Sequence, residues 1–154
     1  MHLKPATQHD LQTVLTWITS PEDLKRWGGP LLTWPPQAEM TWQQIEAPAH
    51  KVFALFTDAG ELAGFGQTLL REENGVHLGR IILSPALRGQ GVGRVLMQNL
   101  IETGKELYHP RYFSLYVYSD NVPAVKLYRS MGFVVTEKYE EDFSCRMEFQ
   151  VEEV

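Results

Sequence analysis

The heptapeptide Arg88-Gly89-Gln90-Gly91-Val92-Gly93-Arg94 constrains this chain more than any other stretch. It joins an apolar run, Leu78 to Leu83, to an amphipathic segment, Val95 to Leu107. The pattern predicts a strand entering the turn and a helix leaving it. Glycines lack the Cβ that restricts backbone angles, so successive N-H groups can converge on one point where the helix dipole is most positive. Such a turn holds an anion, above all a phosphate. Arg88 and Arg94 flank it and supply positive charge for a diphosphate.

Two common phosphate loops do not fit these letters. Reading G-x-G-x-x-G from Gly89 or Gly91 puts Arg94 or Leu96 where the third glycine belongs, and no G-K-[ST] triplet follows. What does match is R-x-x-G-x-G from Arg88 to Gly93, preceded by Leu83-Ser84-Pro85. About 28 residues downstream, after the apolar stretch Phe113 to Tyr118, comes Asn121-x-x-Ala124-x-x-Leu127-Tyr128-x-x-x-Gly132-Phe133. Together the two signatures, within residues 76 to 135, resemble those of the GNAT superfamily of N-acetyltransferases.

Composition sets the bounds within which this resemblance sits. A chain of 154 residues, 44% hydrophobic and 21% charged, is the size of one ordinary domain with a substantial core. No apolar run approaches the ~18 residues of a membrane span, and His2, Lys4, Gln8, His9 and Asp10 interrupt any signal-peptide core. Cys145 is the single cysteine, so no internal disulfide forms and a reducing cytoplasm is the expected compartment. The net charge of −5 argues against nucleic acid as a partner and mildly favours a cationic substrate.

Along the chain, His2 to Pro5 reads as an edge strand, where a proline is tolerated. Thr7 or Gln8 opens a helix with Leu11, Val14, Leu15 and Ile18 on one face, and Ser20-Pro21-Glu22-Asp23 opens a second that ends by Gly28. Residues 28 to 48 read as loop-rich; Trp27, Trp34 and Trp42 cap the core, or, as the resemblance implies, form one wall of an acceptor pocket. Asp58-Ala59-Gly60 and Asn74-Gly75 are turns that make residues 51 to 83 three antiparallel strands. The strand ending at Leu83 and the strand Phe113 to Tyr118 flank a right-handed crossover and are therefore parallel. Asn121 caps a helix that Gly132 ends, and Phe133 to Tyr139 pairs with Phe143 to Val151. The closing acids, Glu152 and Glu153, read as a solvated terminus.

The resemblance implies an α/β (α+β) fold in a single N-acetyltransferase domain, residues 1–154. Its mixed central sheet has about six to seven strands and is flanked by about four helices, and its central parallel pair is splayed around acetyl-CoA. It implies acetyl-CoA as the acetyl donor, a primary amine as the acceptor and no metal; homodimerisation is left open. The pantetheine arm would pair with the amides of Ile82 and Leu83, one of which polarises the thioester carbonyl, a contribution of about 3 to 4 kcal/mol. The pyrophosphate would lie on Arg88, Gly89, Gln90, Gly91, Val92, Gly93 and Arg94. Tyr128 matches the tyrosine that protonates the leaving sulfur, and its plainer alternative is helix packing beside Leu127.

His77 stands where histone-type members carry a catalytic glutamate, with Gly79 leaving space beside it; a water chain, another carboxylate or a merely solvated histidine are the alternatives. Asn121 matches a position that contacts pantetheine, while as a residue it is also a helix cap. Lys126 and Arg129 are close enough in sequence to face the nucleotide, though solvation is their default. A non-catalytic acyl-CoA-binding module is the alternative from another class, and Tyr128 beside a complete loop speaks against it.

Overall fold

Apolar runs and alternating stretches, punctuated by turn formers, yield seven strands among the described residues: β1 His2–Pro5, β2 Val52–Phe56, β3 Leu62–Glu72, β4 Gly75–Leu83, β5 Tyr112–Tyr118, β6 Val134–Tyr139 and β7 Ser144–Gln150. The computed structural model describes residues 1–152, so Glu153 lies outside it. Among the described residues the strands form one sheet in the order β1-β2-β3-β4-β5-β7-β6, in which only β4 and β5 are parallel. Five helices flank it: α1 Gln8–Leu15, α2 Pro21–Gly28, α3 Ala38–Gln44, α4 Val92–Tyr108 and α5 Val122–Ser130. The short α3 lies in the stretch read as loop-rich. Its N-cap Gln37 makes no capping bond, so no side-chain cap marks its start, and Glu39 in its first turn is the only local signal.

The other helix starts follow their sequence signals. Thr7 and Asp10 close a reciprocal capping box, the Ser20 hydroxyl accepts from the Asp23 N-H ahead of Pro21, and Asn121 accepts from the Ala124 N-H. The β3–β4 turn is displaced by one residue from the expected Asn74-Gly75 centre. Glu72 pairs with Gly75, so the turn is Glu73-Asn74, and Asn74 takes the positive φ of 62°. Gly75 has a different reason to be glycine: a Cβ there would lie 2.3 Å from the Tyr112 ring.

Each sheet face carries its own core. Leu96, Met97 and Leu100 of α4 and Tyr128 of α5 pack with Val76, Leu78, Phe113, Leu115 and Met147 on one side. Leu11, Val14, Leu24 and Ile45 pack with Val52, Ala54 and Phe65 on the other. Fully burying each large side chain contributes about 1.5–3 kcal/mol.

One irregularity governs the centre of the sheet. Phe65 pairs with Ile82 but Gln67 with Gly79, so Gly66 faces two residues, Arg80 and Ile81, in a bulge on β4. Arg80 sits there at φ 49°, a conformation of order 1–3 kcal/mol above the usual wells. Three bonds hold it. The Trp27 indole donates to the Arg80 carbonyl at 2.8 Å, and the Arg80 guanidinium donates to Gly28 O at 3.1 Å and to Gln67 Oε1 at 2.7 Å. Parallel pairing of β4 with β5 runs only from Gly75↔Tyr112 to Leu78↔Leu115. Beyond it β4 stays with β3 and β5 with β7, and the sheet parts into two halves.

Candidate active site

The parting leaves backbone groups of β4 without a neighbour. The Ser84 N-H reaches Ala63 O on β3 at 2.9 Å, so by strand alternation the Leu83 N-H and C=O point the other way, into the gap. Arg88 donates to that Leu83 carbonyl. Ile82, expected to share this role, pairs with Phe65 instead, because adjacent residues of a strand direct their amides to opposite sides. An open amide of this kind accepts a strand-like ligand.

Leu83 leads through a short 3-10 turn, Pro85–Leu87, to the glycine loop and into α4. Gly89 and Gly91 take φ of 76° and 80°, and a Cβ on either would meet no atom within 4 Å, so here glycine serves conformation. Gly93 is helical, and its Cβ would lie 3.2 Å from Leu127 Cδ2 and 3.5 Å from Leu83 Cδ1; it serves close packing of α4 against α5 and β4. Whereas side chains cap α1, α2 and α5, α4 begins at Gly91 with none. The first-turn amides of Val92, Gly93 and Arg94 thus have neither a side-chain cap nor an acceptor inside the helix. Arg88 and Gln90 lie exposed on this loop, Gln90 donating to Ala86 O, and Arg94 bonds Ser130 on α5.

Tyr128 lies on the same face of the sheet, buried among the side chains of the α4–α5 core, with its ring 5.9 Å from that of Phe133. Burial pushes its phenol up to about 12, above the value of about 10 that the residue type suggests. Asn121 is the N-cap of α5. Its neighbour Asp120 takes a hydrogen bond from Arg26 of α2, whose guanidinium also lies 4.2 Å from the centre of the Tyr118 ring.

On the opposite face a cleft of about 1440 Å³ opens between α2, β4, β5 and the β6–β7 hairpin. Leu78 and Val117 line it too, although they belong to the other core, so the cleft cuts into the gap between the parted strands. Trp27 forms part of its wall and also packs at 6.0 Å on Phe65, a residue of the core on this face. Five basic side chains, Lys25, Arg26, Arg71, Arg80 and Arg146, line the cleft with four acids, Glu22, Glu72, Asp120 and Asp142. The negative charge of the whole chain is therefore not focused there.

His77 lies in this cleft, only 9% exposed, its ring centre 4.7 Å from that of Tyr116 and tilted 49° to it. Its Nδ1 is 2.8 Å from Ser114 Oγ and 3.3 Å from Glu72 Oε2. Glu72 also accepts from Ser114 at 2.7 Å, from the Tyr112 hydroxyl at 3.0 Å and from both terminal nitrogens of Arg146. Sequence reading missed Glu72, Ser114, Tyr116 and Arg146. Alternation held a signal, since Ser114 and Tyr116 interrupt Phe113, Leu115 and Val117 and so face away from that core. Nothing local paired β5 with β7, which puts Arg146 opposite Tyr116.

The Arg146 guanidinium holds the Glu72 carboxyl down at about 2, and burial lowers His77 to about 4. Folded His77 therefore binds its proton less tightly than a free histidine of 6.5, and in that window the unfolded chain binds more protons. The stability it contributes is present above pH 6.5 and is lost as pH falls toward 4. Between pH 7 and 5 the loss from this group is about 2 kcal/mol. Urea unfolding should show a smaller loss for His77→Gln over that interval, where Glu72 stays ionised. Equal losses in both proteins would mean that His77 is not held neutral by the fold.

Among the described residues no group of His, Cys, Asp and Glu is placed to hold a metal, and no helix is long and apolar enough to cross a membrane. A mixed sheet parted at its one parallel pair, with an uncapped glycine turn opening the crossover helix, defines the class of fold. The chain belongs to the acetyltransferase (GNAT) family, whose sequence profile matches residues 16–133. It is 37% identical over 87 residues to Protein ElaA of Escherichia coli, an alignment covering 53% of this chain and 54% of that one. It is 32% identical over 95 residues to the peptidyl-lysine N-acetyltransferase YjaB of Salmonella typhimurium, covering 62% and 58%. The chain spans little more than half the length of these curated relatives. Its fold is that of the spermidine N-acetyltransferase from Vibrio cholerae in complex with CoA and spermine, with a TM-score of 0.81 at 19% identity over 97% of this chain and 94% of the other.

Proposed function

We propose that this chain transfers the acetyl group of acetyl-CoA to a primary amine by direct attack, with both substrates bound together. The observation that carries the reading is continuity: the open Leu83 amide leads within one short turn to the uncapped start of α4, so one extended ligand can meet both. The thioester arm would run along β4 and its diphosphate would rest on the amides of Val92, Gly93 and Arg94, with Arg88 adding charge. The amine would enter from the opposite cleft, where His77 and Tyr116 stand beside the gap.

In this reading the amine nitrogen forms a bond to the thioester carbon while the carbonyl oxygen gains charge toward the Leu83 N-H. The carbon–sulfur bond then breaks, and the sulfur takes the proton of Tyr128, which water later restores to the phenolate. Burial keeps that phenol protonated at any working pH, and the same low-dielectric surroundings raise the basicity of the thiolate facing it. His77 takes the proton that the amine loses. Asn121 would contact the pantetheine arm with the polar atoms that its capping bond leaves free.

The direct test is thiol release from acetyl-CoA across a panel of amines, including peptide lysines, polyamines and amino acids. Binding alone is tested by melting. At a hundred times its dissociation constant acetyl-CoA should add about 2.7 kcal/mol, which for a domain of this size raises Tm by about 5 to 10 °C. Acetylpantetheine, which lacks the diphosphate, should raise it less. An unmoved melting curve at saturating acetyl-CoA would remove the basis of the reading.

A further inference from the structure

Four side chains on the cleft face, from four strands, make a hydrogen-bonded chain whose proton positions follow from chemistry. Glu72 of β3 is ionised and paired with Arg146 of β7, so its two oxygens only accept. Ser114 of β5 has one proton, and its oxygen lies 2.7 Å from Glu72 Oε2. Pointing that proton anywhere else would set two oxygen lone pairs against each other. The Ser114 hydroxyl therefore donates to Glu72, and its oxygen is left as an acceptor for the Nδ1 of His77 on β4, 2.8 Å away. Nδ1 must carry a hydrogen, and in a neutral imidazole Nε2 then carries the lone pair.

The surroundings keep that lone pair reachable. Nε2 is bonded to Cδ2, and Cδ2 is the His77 atom nearest to where a Cβ on Gly79 would stand, at 3.8 Å. A Cβ at 79 would lie closer still to Leu69 Cδ1, at 2.9 Å, so glycine there makes room for that side chain, while His77 itself lines the cleft with Nε2 neither hydrogen-bonded nor fully buried among the described residues. The Tyr116 ring stands 4.7 Å from the imidazole, tilted 49° to it. Of the charged groups around His77, Glu72 favours the imidazolium while Arg146 and Arg71 oppose it.

We propose that Glu72 and Ser114 act through His77 as a positioning relay, fixing a proton on Nδ1 so that Nε2 receives the proton of the attacking amine. This rests on the acetyl-transfer reading above. As the nitrogen–carbon bond forms, the N-H bond of the amine breaks and its proton passes to Nε2. The imidazolium so formed donates from Nδ1 toward Ser114 and Glu72, whose negative charge stabilises it, and Nε2 later returns the proton to water. His77 is the catalytic residue of this step; Glu72 and Ser114 only position it.

The tautomer is tested without any turnover. In protein with ¹⁵N-labelled histidine, between pH 6 and 8, the His77 signals should show a proton bonded to Nδ1 and none to Nε2. His77→Gln, which removes the residue's signals, assigns them. A proton on Nε2, or an imidazolium at pH 7, would overturn the relay while leaving acetyl transfer untouched. Turnover supplies the second arm. His77→Gln should lower kcat by about 10²-fold, and Ser114→Ala by about tenfold, since only the longer 3.3 Å contact to Glu72 then holds Nδ1. The KM for acetyl-CoA should change little in either, because both sit outside its groove. Ser114→Ala removes one oxygen and keeps the Glu72–Arg146 pair, so it is the variant to rely on if Glu72→Gln does not fold. Full kcat in folded His77→Gln would overturn the catalytic role even with the tautomer as stated. Absence of thiol release from the wild type with every amine would overturn the parent reading and the role together.

Discussion

Tyr128→Phe lowers kcat by about 10² to 10⁴-fold, the range of general acid catalysis, or roughly 3 to 5 kcal/mol at the transition state. The expectation rests on where the ring sits. Tyr128 is 8% exposed and packs at 5.9 Å on Phe133, so the phenylalanine ring keeps the core while only the hydroxyl goes. Its KM for acetyl-CoA should move far less, because in the proposed reaction the hydroxyl acts where sulfur gains charge and hardly at all on the intact thioester. The melting temperature should stay within a few degrees of wild type. Stopped-flow measurement separates chemistry from product release. If chemistry is rate-limiting and the variant turns over like wild type, the thiolate leaves without help from Tyr128.

The second large effect falls on the loop. Gly91→Val should weaken acetyl-CoA binding by about 10²-fold or more and abolish the thermal shift, while the protein still folds. At φ 80° a β-branched residue is forced from its allowed region, and the start of α4 must rearrange. The amides of Val92, Gly93 and Arg94 then lose their common direction. Open space around Gly91 means that no core contact is crushed, which is why folding survives. Gly93→Val behaves differently. Added carbons there meet Leu127 and Leu83, so its own melting temperature falls and lost binding alone says nothing about phosphate. Isothermal titration with folded Gly91→Val decides the matter: wild-type affinity would make the loop a connection and nothing more.

His77, Tyr128 and the loop lie on different strands and helices, and the bulge at Arg80 links them. By turning β4 away from β5 after Leu78, it exposes the Leu83 amide on one side and opens the cleft beside His77 on the other. The bonds from Trp27, Gly28 and Gln67 that hold Arg80 at positive φ are therefore part of what keeps the gap open.

Local chemistry alone determined much of this protein. Thr7, Ser20 and Asn121 cap helices because a short side-chain oxygen reaches amides within its own turn, and the apolar spacing of α4 selects its buried face. β4 and β5 are parallel because the helix between them carries the chain back to the starting edge before the second strand begins, and such a crossover takes the right hand. The glycine loop and Tyr128 stand out as candidates for the same reason, each lying within a short ordered spacing. Tertiary structure decided the rest. Whether Ile82 or Leu83 offers its amide depends on register with β3, and the one-residue shift of the β3–β4 turn follows from pairing of Glu72 with Gly75. Gly75 and Gly93 are glycine because of Tyr112 and Leu127, residues 37 and 34 positions away, which no local rule reaches. The surroundings of His77 are built from Glu72, Ser114 and Arg146, brought together across four strands by long-range pairing. A single residue type at position 77 carries only a reference pKa; burial and its partners set which nitrogen bears the proton.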